Sequence, residues 1–479
     1  MWWMWWACTA PQEPVALPEL PGGVWQGEVR VVSQDGLPVD VREPVAVRLE
    51  DEWRVEGQRF VQQEPEGSAE WVGVFEETSF FADYSDRIQI TWRLEGDPDS
   101  GALSGTYEKR EVFEPSGEGV TTESVREGTV ALVALEAHDS GGDGLDAVGE
   151  LGTSGAYDRA VNVRVRGDVA ALANYEGGFA LADVADPTAP WWMGSAPVEE
   201  ALEVYNDVKW VDDTHVALAS STRGLVIVDV SDSSDLSTVA VWPSEGFSSY
   251  DVHTLAIEGD LAFLSRLSRR VQGVESPGGL DIVNIADPTA PFLVGSWEVS
   301  EVGGTLVHDL FVFEERAYLC SWEAGLVVLD VSSPPTPSLL GVYDAHSPLT
   351  SHSVWVFPQG DRVLALHGDE GFGAHLRILD VTDPSEIAVL SEWQTRPEVS
   401  IHNVMVAGNQ AVVAYYQDGV RMLDIGDPGV PAEVARFNSF DFEAETAGER
   451  FFDGAVGIDV ANDRIYLADS RRGLLILEE

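Results

Sequence analysis

The phrase Gly224-Leu-Val-Ile-Val-Asp-Val-Ser-Asp232 recurs along the last two-thirds of this chain, and no other feature constrains its fold as strongly. Further copies begin at Gly178, Gly279, Gly325, His375, Gly419 and Gly473, seven in all, at intervals of about 45 to 55 residues. Self-similarity at that period marks a propeller or solenoid. Each repeat has the same grammar. A short apolar strand, such as Leu310-Phe-Val312, meets a tight turn, such as Glu258-Gly-Asp260, and a second strand follows, such as Leu261-Ala-Phe-Leu264. A charged residue and glycine (Arg223-Gly224, Asp418-Gly419, Arg472-Gly473) then suit a hairpin that needs positive φ. The Leu-Val-Ile-Val-Asp strand is third. Asp-Pro turns such as Asp287-Pro-Thr-Ala-Pro291 end it, because proline removes a ladder donor. A fourth strand, such as Phe292-Leu-Val-Gly-Ser-Trp297, completes the unit. Four antiparallel strands per repeat predict a seven-bladed β-propeller over residues 156–479. The last repeat stops after its third strand, so a strand from residues 128–160 is expected to close the ring.

The repeated Leu-Val-Ile-Val-Asp strand with its Asp-Pro-x-x-Pro turn resembles the LVIVD-repeat family of bacterial surface proteins. Members are mostly secreted or envelope-anchored propellers with no assigned activity. The resemblance therefore implies a fold and a location, and it implies no reaction.

Residues 22–136 lack the phrase and show period-2 strands instead, among them Val24–Val32, Val45–Leu49, Trp53–Val55, Trp71–Phe75, Ile88–Trp92, Leu103–Tyr107 and Val130–Leu135. They predict a small antiparallel barrel or sandwich, with a ligand-free sandwich as the simpler expectation. Gly23-Val-Trp25 faintly resembles the opening of lipocalin-like barrels. Residues 137–155 read as a Gly/Asp-rich linker. Asp139, Asp143 and Asp146 there offer oxygens to Ca²⁺, though without the EF-hand spacing.

At the start, Met-Trp-Trp-Met-Trp-Trp-Ala-Cys8 is too short to span a bilayer. Its Ala7-Cys8 step resembles the end of a truncated bacterial lipoprotein signal, which makes Cys8 a candidate lipidated residue and 9–21 a tether. That reading places the protein in the cell envelope or outside the cell, on the outer membrane through a lipid.

Charge narrows the partners. Asp and Glu number 82 against 28 Lys and Arg, for a net −54, and Lys109 and Lys209 are the only lysines. Such a surface repels nucleic acid and anionic headgroups. It fits an ion-rich surrounding or an arginine-biased genome equally well. Cys320, within an apolar strand, is expected to be a buried free thiol.

Aligning the repeats on their first strands exposes one column: Val161, Asn206, His253, His308, His352, His402 and Val456. Beside it runs Asn162, Asp207, Thr254, Asp309, Ser353, Asn403 and Gly457. Four consecutive blades thus set a histidine at one mouth of the central channel, with His346 and His367 as further candidates. Imidazoles at His253, His308, His352 and His402 can hold a transition metal, such as Zn²⁺, or serve as acid and base. The plainer alternative is architectural. Propellers of the WD type carry a comparable histidine that bonds a neighbouring hydroxyl or carboxylate and pins the blade, and the adjacent column supplies such partners. A third reading makes Asn206, Asp207, His253, His308, Asp309, His352, His402 and Asn403 a polar ligand mouth, with Ca²⁺ or a transition metal as its only candidate cofactor. Trp297, Trp322, Trp355, Trp393, Tyr415 and Tyr416 read as propeller core rather than a sugar platform. No Gly-x-Ser-x-Gly, phosphate loop or Cys-x-x-Cys occurs. The expected function is a monomeric, non-enzymatic envelope scaffold that binds a surface protein or glycan. A metal-dependent hydrolase or lyase at the histidine mouth is the alternative.

Overall fold

The computed structural model describes residues 23–479 apart from 50–52, 57, 64–70, 81–83, 98–100, 116–120, 138–139, 154–158, 176–177, 199–202, 245–248, 272–273, 345–349, 443, 445–446 and 448–449. Cys8, the tether at 9–21, Asp139 and His346 lie outside the described residues. The chain divides into two compact units, residues 1–136 with 443–451, and residues 137–442 with 452–479.

The first unit is a closed eight-stranded antiparallel barrel, not a sandwich. Its strands are β1 (Gly23–Gln34), β2 (Leu37–Leu49), β3 (Trp53–Val55), β4 (Gln58–Gln63), β5 (Trp71–Phe80), β6 (Tyr84–Asp97), β7 (Ala102–Pro115) and β8 (Thr122–Ala134). Each pairs with the next, and β8 returns to β1. Closure follows from the side chains available. Trp25, Trp53, Trp71 and Trp92 are at most 2% exposed and join one apolar core, so a single sheet wrapped around them needs no second layer. Residues 443–451 belong to this unit: Arg48 Nη1 donates to the carbonyls of Ala444 (2.9 Å) and Ala447 (3.2 Å), and the Glu56 carboxylate accepts from Phe451 N.

The second unit is a propeller of seven blades. The innermost strands are Ala160–Arg166, Tyr205–Trp210, Ser249–Glu258, Asp309–Phe313, Ser351–Gln359, Val404–Ala407 and Ala455–Ala461. The recurrent strand is third in each blade, and its apolar character has a simple cause. In Gly224–Asp229, Leu225, Val226 and Ile227 are all fully buried, because both faces of a blade pack on neighbours. Its glycine takes positive φ, 80° at Gly224 and 84° at Gly473, as the hairpin requires. Two Asx turns end the strand: Asp229 Oδ1 accepts from Ser231 N (2.8 Å) and Asp232 Oδ1 from Ser234 N (2.9 Å). The Ser234 hydroxyl and amide hold the Asp232 carboxyl below its usual range. Cys320 is a buried free thiol.

Ring closure occurs where it was expected. Blade 7 consists of three strands from the end of the chain plus β10 (Asp146–Leu151), which pairs antiparallel with Gly473–Glu478. A short β9 (Gly141–Asp143) extends blade 6 along Ala432–Asn438. Residues that composition alone reads as a linker therefore carry two propeller strands. Asp143 lies 3.5 Å from Arg436 in an exposed ion pair.

Candidate functional site: two faces of the inner ring

The inner strands begin with the two aligned columns, and the fold separates them. The histidines form an arc at one mouth, while the second column turns into the channel.

Around the arc, ring centroids are 3.8 Å apart for His253–His308, 4.2 Å for His308–His352 and 4.6 Å for His352–His402. Val161, Asn206 and Val456 occupy the column where the histidines stop. Trp322 flanks His308 at 5.0 Å and Tyr416 flanks His402 at 5.1 Å. One acid joins them. Glu370 follows the second strand of blade 5, and its Oε2 lies 3.5 Å from His352 Nε2 and its Oε1 4.0 Å from His402 Nε2. The Tyr416 hydroxyl donates to Glu370 Oε1 at 2.5 Å. Burial pushes the Glu370 carboxyl up to about 8, and the Tyr416 bond only partly opposes it. Burial likewise holds His253 and His402 down at about 4, and His308 and His352 well below the usual imidazole value. The neutral forms therefore dominate near neutrality.

The column histidines bond toward the next blade: against the larger effect of burial, a backbone hydrogen bond at His308 raises His253, one at His352 raises His308 and one at His402 raises His352. His402 Nδ1 donates to the carbonyl of Val456 in blade 7 at 2.8 Å. Nε2 of His352 is buried without a hydrogen-bond partner. His367 is spent elsewhere, with its Nε2 2.8 Å from Ser351 Oγ.

The second column also ties the blades together. Asp207 is fully buried and joins three blades. Its Oδ1 accepts from Asn162 Nδ2 (2.6 Å) and Val208 N (2.8 Å), and its Oδ2 from Leu255 N (3.0 Å) and Lys209 Nζ. Between blades 7 and 1, Asp459 Oδ2 accepts from Val165 N at 2.7 Å. Ser265 Oγ donates to the carbonyl of His308 in the next blade at 3.0 Å.

Beyond this ring the channel opens into a cavity of about 420 Å³. Asp207, Asp309 and Asn403 line it, and the histidines do not. Two residues further along each inner strand, the same face carries Arg164, Lys209, Ala256, Phe311, Trp355, Met405 and Asp459, all at the cavity wall. Phe311 and Trp355 pack at 4.7 Å. Both cations are held by the protein's own oxygens: Lys209 by Asp207, and Arg164 Nη1 by Asn162 Oδ1 (2.9 Å) and the carbonyls of Val163 (2.6 Å) and Ile458 (2.9 Å). Four carboxylates, of Asp207, Glu258, Asp309 and Asp459, face these two. Burial pushes the Asp309 carboxyl up to about 6 against the opposing Leu310 N–H bond.

Alignment of the repeats found the two polar columns. It missed Glu370, which lies outside the repeat grammar, and the aromatic and charged wall. A period-2 step from the second column would have found that wall, since Asp207 and Lys209 share a strand face.

The LVIVD repeat matches this chain at residues 210–241, 275–299, 305–345 and 400–439. Among curated proteins nothing matches. Among solved structures, the WD40 β-propeller domain of Doa1 is similar at 11% identity and a TM-score of 0.51, covering 70% of this chain and 97% of that domain. A chain of the mitotic checkpoint complex is 11% identical with a TM-score of 0.49, covering 72% of this chain and 96% of that one. At 11% identity the likeness to the Doa1 domain concerns the fold alone.

Proposed function

We propose, on the premise that this chain is a β-propeller protein of LVIVD repeats, that it is a non-enzymatic binding protein whose central channel seats a small organic cation. The observation that carries this reading is the channel wall. Carboxylates outnumber cations there, both cations are already held by internal oxygens, and Trp210, Trp355 and Phe311 offer ring faces. A cation above such faces gains cation–π attraction, and the −54 net charge concentrates cations around the molecule. A lipid at Cys8 would tether this binding site to the bacterial envelope, where a partner protein or glycan can bear the cationic group.

The test is calorimetric titration of the full chain with spermidine, choline and a neutral oligosaccharide. Saturable binding of a cation is expected, weakened about tenfold by Trp355→Ala, the scale of one desolvated cation–π contact. Glu258→Gln, which changes an exposed carboxylate, is expected to weaken it less. If neither cation binds, or if the oligosaccharide binds while the cations do not, the cation reading is wrong.

A further inference from the structure

We infer that His308, His352 and Glu370 form a binding site for a divalent transition-metal ion at the histidine mouth. One ligand atom from each lies within 4.8 Å of the other two. The inference uses none of the channel-wall residues and stands independently of the cation reading.

Three observations converge on it. The first is His352, which is 2% exposed and has no hydrogen bond at Nε2, 3.5 Å from Glu370 Oε2. A buried nitrogen left without a hydrogen bond costs free energy. A metal accepts a lone pair from a neutral imidazole and removes that cost. The second is the donor set. Two imidazoles and one carboxylate are the nitrogen–oxygen combination that Zn²⁺ and Fe²⁺ accept, with positions left open. A four-coordinate ion about 2.1 Å from each donor needs them about 3.4 Å apart, so each side chain moves inward by less than about 1 Å. The third is the surrounding support. The Tyr416 hydroxyl orients Glu370. Val456 O accepts a hydrogen bond from His402 Nδ1–H, which leaves the lone pair on His402 Nε2, 4.0 Å from Glu370 Oε1. That arrangement, a backbone carbonyl fixing the tautomer of a ligating histidine, is the usual outer support of a metal ligand and makes His402 the available fourth donor. Trp322 and the His253 ring pack on His308 and limit its motion.

The experiment strips the full-length protein with a chelator and titrates it with Zn²⁺ and with Co²⁺, reading heat and the visible bands of four- or five-coordinate cobalt. One ion per chain is expected. Glu370→Gln, which preserves shape and removes the ligating charge, is expected to weaken binding at least tenfold, as is His352→Gln. Tyr416→Phe is expected to cost about tenfold through the outer support. Glu258→Gln and Trp355→Ala are expected to leave metal affinity unchanged, so failure of the channel reading and failure of this one are separable. Circular dichroism verifies that each variant folds, and Glu370→Gln decides the outcome if His352→Gln does not. Binding below one ion per chain, or unchanged affinity in a folded Glu370→Gln protein, overturns the inference.

Discussion

An Asp207→Ala variant is expected to lose about 3–5 kcal/mol of propeller stability, the scale of breaking a buried ion pair from one side. Asp207 is fully buried and accepts hydrogen bonds from Asn162 in blade 1, Val208 and Lys209 in its own blade 2 and Leu255 in blade 3. Alanine removes all of them together. It leaves the Lys209 ammonium, already disfavoured by burial and by Arg164, without its carboxylate. Asp207→Asn retains an oxygen for some of the donors and loses the charge, so a smaller loss is expected, about 1–2 kcal/mol. Urea denaturation followed by circular dichroism measures both, with a lower midpoint and an unchanged slope as the expected signature. A loss under about 1 kcal/mol for Asp207→Ala would mean that the inner ring is not held by this carboxylate.

Gly149→Val in β10 is expected to cost about 3 kcal/mol, because overpacking a site closed by backbone forces the backbone to shift. A Cβ at Gly149 would stand 1.8 Å from the Pro187 carbonyl. Pro187 belongs to the Asp-Pro turn of blade 1, so this contact lies across the seam where the ring closes. The same approach recurs around the ring: a Cβ at Gly194 would meet Ser233 O at 1.7 Å, and one at Gly341 would meet Pro384 O at 1.7 Å. In these blades the fourth strand thus receives the turn of the next blade. In blade 7 that strand comes from far away in sequence, so its displacement opens the seam. Faster proteolysis within residues 137–155 should accompany the drop in stability. Gly152→Ala is the control, since nothing lies within 4 Å of its added Cβ, and a change within about 0.5 kcal/mol is expected. Equal proteolysis of the two variants would show that the seam does not depend on this contact.

Much of the architecture is legible from particular residues. The Leu225–Val228 strand is apolar at every position because a blade has no solvent face, and its recurrence counts the blades. The missing fourth strand of the last repeat calls for a donor upstream, and β10 supplies it. The histidine column is visible because four blades repeat it in phase. The barrel is less legible. Its strands alternate as a sandwich would, and β4 (Gln58–Gln63) carries only Phe60 and Val61 as apolar residues, so neither strand number nor closure could be read.

Local chemistry, repeated, was enough to establish the seven-bladed propeller. A four-stranded unit with two apolar faces cannot bury them alone, so copies must stack and the ring must close. The site was decided in three dimensions. Glu370 reaches His352 and His402 because its strand end turns toward the mouth, and nothing in its sequence neighbourhood marks it. The partner of His402 Nδ1 likewise comes from another blade, as the carbonyl of Val456. Protonation follows the same logic. An imidazole or a carboxyl has its ordinary affinity for protons in any sequence, and only burial beside its neighbours holds His253 at about 4 and raises Glu370 to about 8.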